Sequence, residues 1–269
     1  MRYINKFMNI DLKNKKAIVC GSTQGIGRAI AKQFAASGAD VILIARNEES
    51  LREVLRELPS TKDQNHNIIV ADFSNPEILK NKLHNFVSES SPVHILVNNT
   101  GGPKAGQAIS ADTSEFIQAF SNHLICNQIL VQSLSDGMKK ERYGRIINII
   151  STSVKQPIKG LGVSNTIRGA VASWAKTLSA ELGQFGITVN NVLPGATKTE
   201  RLYAIFKNRA LTTGKSEEEI SNEMMNEIPA MRFAEPDEIA YAVTFLASEY
   251  AGYINGVSIP VDGGRTMCL

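Results

Sequence analysis

Ala17-Ile18-Val19-Cys20-Gly21-Ser22-Thr23-Gln24-Gly25-Ile26-Gly27 runs from an apolar β-type stretch through three glycines into a helix-like segment. That order reads as a strand, a tight turn and a helix N-terminus. Glycine suits such a turn because the backbone takes unusual angles there, and because any side chain would hold the N–H groups away from a pyrophosphate. The helix dipole and its free N–H groups then attract the anion. The spacing is Gly-x3-Gly-x-Gly, which differs from the more general Gly-x-Gly-x-x-Gly pattern. Gly21, Ser22, Thr23, Gln24, Gly25, Ile26 and Gly27 are therefore candidate cofactor contacts, with a plain structural turn as the alternative.

Outward from this turn, apolar strand-like runs alternate with amphipathic helical ones. Asp40 to Ala45 is apolar on both faces, as a parallel strand covered on each side requires. Further runs lie at Asn67 to Ala71, Val93 to Val97, Arg145 to Ile150, Thr188 to Leu193 and Val257 to Val261. Helical segments are expected near 25–37, 47–58, 75–90, 113–139, 162–184 and 236–247. About seven strands with intervening helices predict an α/β fold, a doubly wound parallel sheet with helices on both faces. Ligands in such sheets bind beyond the carboxyl ends of the strands.

The 269 residues are 43% apolar, and no linker-like composition divides them, so one domain over 1–269 is expected. A net charge of +3 is spread over 29 basic and 26 acidic residues without a long basic run, which gives no case for nucleic acid or an anionic membrane. Cys20, Cys126 and Cys268 form no C-x-x-C pair and adjoin no His cluster, so neither disulfides nor a metal site is expected. Met1 to Leu12 lacks the uninterrupted apolar core of a signal peptide, and a cytoplasmic location is the default.

The strand ends carry the chemistry. A carboxylate after the second strand would bind the ribose 2′-hydroxyl of NAD, whereas an arginine accommodates the 2′-phosphate of NADP. Ala45 offers no carboxylate and Arg46 offers the cation, unless Arg46 merely starts a helix in solvent. After the third strand, Asp72 either accepts from an adenine amine or caps the helix that begins near Pro76, with Phe73 beside it. After the fourth comes the polar turn Asn98-Asn99-Thr100-Gly101-Gly102-Pro103, where the backbone of Asn99 and Gly101 can approach a nicotinamide ribose.

These motifs, together with Pro194-Gly195-Ala196-Thr197-Lys198-Thr199 and Val261-Asp262-Gly263-Gly264, follow the order and spacing of the short-chain dehydrogenase/reductase family. The chain resembles that family from about Leu12 to Gly264, most nearly its 3-oxoacyl-carrier-protein-reductase-like members. The resemblance implies a Rossmann-type fold, NADP(H) as cofactor, and hydride transfer to a small carbonyl or alcohol substrate, including a 3-oxoacyl thioester. It implies that Pro194, Gly195, Thr197 and Thr199 line the nicotinamide and diphosphate. It also implies a mobile lid at about 200–227, in which Met224 and Met225 give an adaptable apolar lining, and a homodimer or homotetramer through the long helices.

The catalytic positions depart from the family pattern. Members use a Ser after the fifth strand, a Tyr 13 residues on, a Lys four residues beyond the Tyr, and an Asn from the preceding long helix. Ser151 matches the first, but Ser164 stands at the Tyr position, Arg168 at the Lys position and His123, next to Asn122, at the Asn position. A serine hydroxyl is a far poorer acid than a tyrosine of pKa about 10. Arg168, four residues from Ser164 on one helix face, can still bind ribose hydroxyls and stabilise an oxyanion. Candidates for proton delivery are His123, expected to titrate near neutrality, and Lys155 or Lys159; the alternatives are a helix-packing histidine and solvated loop lysines. The two functional classes left open are an NADP(H)-dependent oxidoreductase and a catalytically weak or inert member that binds the dinucleotide as a sensor or structural protein.

Overall fold

A computed structural model describes residues 8–61, 63–89 and 92–268. Met1 to Phe7, part of the stretch read above for a signal peptide, and residue 90, at the end of the third expected helix, lie outside the described residues. Strands β1 (Lys16–Cys20), β2 (Asp40–Ala45), β3 (Asn67–Val70), β4 (Ile95–Asn98), β5 (Gly144–Ile149), β6 (Ile187–Pro194) and β7 (Ser258–Val261) form one parallel sheet in the order β3-β2-β1-β4-β5-β6-β7. The chain reverses its direction of winding between β1 and β4, which opens a crevice beyond their carboxyl ends.

Strands buried on both sides need apolar residues on both sides, and β1, β2 and β4 supply them. Helices α1 (Gly25–Ala36), α2 (Glu48–Glu57) and α9 (Pro236–Ala247) cover one face, meeting it through Phe34, Leu51 and Val243. Helices α3 (Pro76–Glu89), α5 (Cys126–Glu141) and α6 (Gly162–Leu182) cover the other through Leu83, Leu130 and Ala175. Within this apolar sheet runs a ladder of amides. Asn98 donates to Asn148 at 2.8 Å, Asn148 to Asn191 at 2.9 Å, and Asn191 to the Ser258 hydroxyl at 3.1 Å, each across directly paired positions. Buried polar groups are tolerated where they bond one another, and this ladder ties β4 to β7 at the end of the sheet where the site lies.

Two expectations are corrected by the fold. The helix expected over 113–139 is α4 (Thr113–Phe120) and α5 separated by a π-helical segment, Ser121–Ile125, in which the Cys126 N–H bonds back to the Ser121 carbonyl. Met224 and Met225 do not line the cleft that runs from Thr152 to Glu227. They pack inside the segment expected to be a lid, where α7 (Glu200–Thr213) and α8 (Glu217–Asn226) enclose an apolar cluster of their own with Leu202, Phe206 and Ile220.

Candidate active site

The glycine turn at the end of β1 is closed by the loop after β4. Gly21 has φ +58°, and a Cβ on it would lie 2.5 Å from the Asn99 carbonyl oxygen; a Cβ on Gly27 would overlap the Gly21 carbonyl. The Asn99 amide donates to the carbonyls of Cys20 and Gly21 at 3.2 Å, so this side chain braces the turn. Ser22 is buried, with its hydroxyl 3.5 Å from the Ile44 carbonyl. Thr23, Gln24 and Ile26 complete the turn and open α1. The Thr199 side chain reaches Gly25 from the far side, and Thr197 is buried, its hydroxyl donating to the Gly195 carbonyl at 3.1 Å. Pro194 ends β6, and the Gly195 N–H bonds to the Val261 carbonyl at 2.9 Å. The ends of β1, β4 and β6 are thus gathered around one cradle whose backbone leaves no space for side chains, as a bound dinucleotide diphosphate requires.

Arg46 is exposed beyond β2. Its positive charge helps hold the Asp72 carboxyl below the usual range, the larger cause being hydrogen bonds from Ser74. Asp72 does not cap α3; Asn75 does, accepting from the Ile78 N–H at 3.2 Å, while Asp72 accepts from the Ser74 N–H at 2.9 Å. Phe73 packs against the core and offers its carbonyl to the Cys126 thiol.

The π-helical segment decides which side chain faces the crevice. An extra residue in a helical turn rotates its neighbours, a device that recurs at functional sites. It turns His123 inward, 2% exposed, where Nδ1 lies 2.5 Å from the Thr100 hydroxyl in the β4 loop. Asn122 points away, its amide lying 2.9 Å from the Phe73 carbonyl in the orientation that satisfies its bonds. His123 does not titrate near neutrality. Burial, then the charges of Arg168 and Arg201, push its pKa down to about 3. Unfolded, it takes a proton near pH 6.5; folded, only near 3. Between these values the unfolded chain binds the extra proton, so stability is lost as pH falls through the window, by at most about 1.4 kcal/mol per pH unit. His123→Asn should therefore flatten the fall of the urea midpoint between pH 6.5 and 4; midpoints falling in parallel in the two proteins would refute a buried neutral imidazole.

Ser151 follows β5, and its Oγ accepts from the Ser153 N–H at 3.1 Å, leaving the hydroxyl hydrogen for another partner. Ser164 and Arg168 are both buried on α6, one turn apart, and α6 packs on α4 and the π-helical segment. Arg168 Nη1 donates to the Ile149 carbonyl at 3.0 Å, pinning α6 to the end of β5, while its buried Nε has no partner. Desolvation, then the charge of Arg201, lowers its pKa to about 10. Lys155 is exposed, and Lys159 lines a cleft of about 520 Å³ that begins at Thr152, beside Ser151, and extends to Arg209 and Glu223 on α7 and α8. Gly101 lies in the open, with no atom within 4 Å of where its Cβ would be.

Sequence reasoning missed Thr100 and Arg201. Thr100 stands inside a quoted motif but has no signal apart from its position. Arg201, in the first turn of α7, lays its guanidinium against Gly102 of the β4 loop, so that a Cβ there would lie 2.6 Å from Cζ.

A family model described as enoyl-(acyl carrier protein) reductase matches residues 21–266 of the chain. The 3-oxoacyl-(acyl-carrier-protein) reductase FabG of Rickettsia prowazekii is 34% identical over 258 residues, which cover 96% of this chain and 99% of the relative. Among solved structures, L-sorbose reductase from Gluconobacter frateurii complexed with NADPH and L-sorbose superposes with a TM-score of 0.91 at 29% identity, covering 97% of this chain and all of that one. YwfH, an NADPH-dependent reductase involved in bacilysin biosynthesis, gives 0.89 at 25% identity over 95% of this chain and 99% of its own.

Proposed function

The chain belongs to the short-chain dehydrogenase/reductase family, and from that membership we propose that it is an oxidoreductase reducing a carbonyl compound with NADPH, using a catalytic set of its own. The observation that carries this reading is the cradle at the ends of β1, β4 and β6, with the Thr100–His123 pair in the β4 loop and Ser151 and the Arg168–Ile149 bond at the end of the adjacent strand β5. A bound nicotinamide would supply the hydride. Gly21 to Gly27 and Thr199 hold the diphosphate, Asp72 and Phe73 border the adenine, the Asn99 to Gly101 backbone borders the nicotinamide ribose, and Arg168 offers donors to its hydroxyls. The Ser151 hydroxyl donates to the substrate carbonyl oxygen, and the nearby guanidinium favours the charge that develops there. The resulting alkoxide is basic enough to take its proton from water, so no tyrosine need stand at 164, and the Ser164 hydroxyl is one stop for that water. Relatives named as 3-oxoacyl-carrier-protein reductases support a 3-oxoacyl carbonyl as the acceptor.

Arg46 selects the cofactor. Hydrogen bonds to charged groups contribute about 1.5–3 kcal/mol, and Arg46 is exposed, so Arg46→Ala should weaken NADPH by about tenfold and leave NADH unchanged. Titration of both dinucleotides by nicotinamide fluorescence measures this; equal wild-type affinities would exclude the role.

The chain is also proposed to be a homo-oligomer, as one domain carrying one site per copy. No helix among the described residues is long and apolar enough to cross a membrane. Around α4 and the π-helical segment, Ile109, Ile117, Phe120 and Ile125 are nonetheless exposed, an apolar surface that a second copy would cover. Light scattering should give a multiple of 29.3 kDa; a lone 29.3 kDa species at micromolar concentration would refute it.

A further inference from the structure

The cleft that begins at Thr152 has hydrophilic walls. Among the described residues that line it, only Pro157, Ile158 and Ile220 are apolar. On α7 the stripe Leu202, Phe206, Arg209 and Thr213 runs at helical spacing, apolar where it joins the cluster inside α7 and α8 and polar where it lines the cleft. On α8, Glu223 and Glu227 line the cleft beside Ile220, while Met224 stays in that cluster. The walls are fixed: Asn165 accepts from the Ile158 N–H at 3.4 Å and donates to its carbonyl at 2.9 Å, and Arg265 pairs with Glu227 at 2.5 Å. Several polar groups on these walls are unused. Thr152 is 5% exposed, and its hydroxyl has no protein partner among the described residues; unlike that of Ser153, it is not sealed from the surface. The side chains of Gln156, Lys159, Arg209 and Thr266 also have no protein partner among the described residues. These groups enter one space from the segment after β5, from α7 and from the segment after β7.

Building on the oxidoreductase reading, we propose that the substrate is a hydroxylated ketone whose hydroxyl-bearing chain lies in this cleft, with Thr152 as the residue that selects it. An alkyl chain placed there would strip water from charged and polar groups and return no hydrogen bond, whereas substrate hydroxyls exchange one partner for another. The apolar side chains of α7 and α8 that could have received an alkyl chain are spent on each other. Thr152 follows Ser151 directly, which puts the selecting hydroxyl at the reactive end of the cleft. A 3-oxoacyl acceptor is thereby limited to chains too short to enter.

The test uses the full chain saturated with NADPH and reads ligand affinity by saturation-transfer NMR. L-Erythrulose and 2-butanone share a carbon skeleton and differ in their hydroxyls, and erythrulose should bind about tenfold or more tightly. Thr152→Val keeps the volume and removes the hydroxyl; it should cost erythrulose about fivefold while 2-butanone and NADPH shift by less than about twofold. Thr152→Ser should keep most of the erythrulose affinity. Gln156→Leu, at an exposed position, should narrow the preference from the same wall. Equal binding of erythrulose and 2-butanone overturns the proposal. So does an affinity that climbs about fourfold per methylene from 2-butanone to 2-octanone, the mark of an apolar tunnel. An erythrulose preference that neither Thr152→Val nor Gln156→Leu reduces overturns it as well, because the ligand then lies outside the cleft. The readout is binding, so a Thr152-dependent preference without turnover of any ketone would count against the oxidoreductase reading alone.

Discussion

Gly27→Ala is expected to weaken NADPH binding by at least about a hundredfold while far-UV circular dichroism keeps its α/β shape. The reason is local. The new Cβ would overlap the Gly21 carbonyl oxygen and crowd the Asn99 amide, which itself bonds to that carbonyl. Neither neighbour is the free end of a flexible chain, because one is backbone and the other is fixed by two hydrogen bonds. The turn must therefore move away from α1, and the N–H groups of the first helical turn lose their aim at the anion. Overpacking of this kind costs typically 1–3 kcal/mol of stability, which leaves a folded chain to titrate. Gly27→Ala with unaltered NADPH affinity would mean that the dinucleotide does not sit on this turn.

The parallel sheet was legible because its strands are apolar on both faces and because each ends in a residue type with a chemical use. All seven runs correspond to strands, and every helix expected between them is present, although that over 113–139 is interrupted. That interruption illustrates what pattern reading misses. Hydrophobic periodicity tolerates one extra residue over a 27-residue stretch, yet that residue decides whether Asn122 or His123 faces Thr100. Residue type was misleading for His123 as well, because an imidazole expected near neutrality is neutralised by burial and by two arginines that no spacing rule connects to it. Arg201 was hidden for the opposite reason: in a segment rich in charges it has the composition of a solvated face, and only the approach of α7 to Gly102 distinguishes it. Asp72 and Asn75 are both good caps three residues apart, and which one caps depends on where α3 starts. What the sequence did carry was the substitution pattern itself, Ser164 and Arg168 on one helix face with Ser151 before them.

Ser151→Ala should lower turnover by at least about a hundredfold, since removing a preorganised donor to a developing oxyanion has effects of that size, whereas Ser164→Ala should lower it far less. Ser151 is suited to the role because its oxygen already accepts from the Ser153 N–H and its hydrogen is left to donate to a substrate. The most direct measurement follows deuterium from NADPH labelled at C4, on each face separately, into a panel of ketones and oxo acids by mass spectrometry. Deuterium is expected on the carbinol carbon of at least one product, from one face only, with the rate of transfer falling about a hundredfold or more in Ser151→Ala and the Kd of NADPH unchanged. NADPH bound tightly with no deuterium transferred to any carbonyl, from either face, would contradict hydride transfer and leave a dinucleotide-binding protein without catalysis.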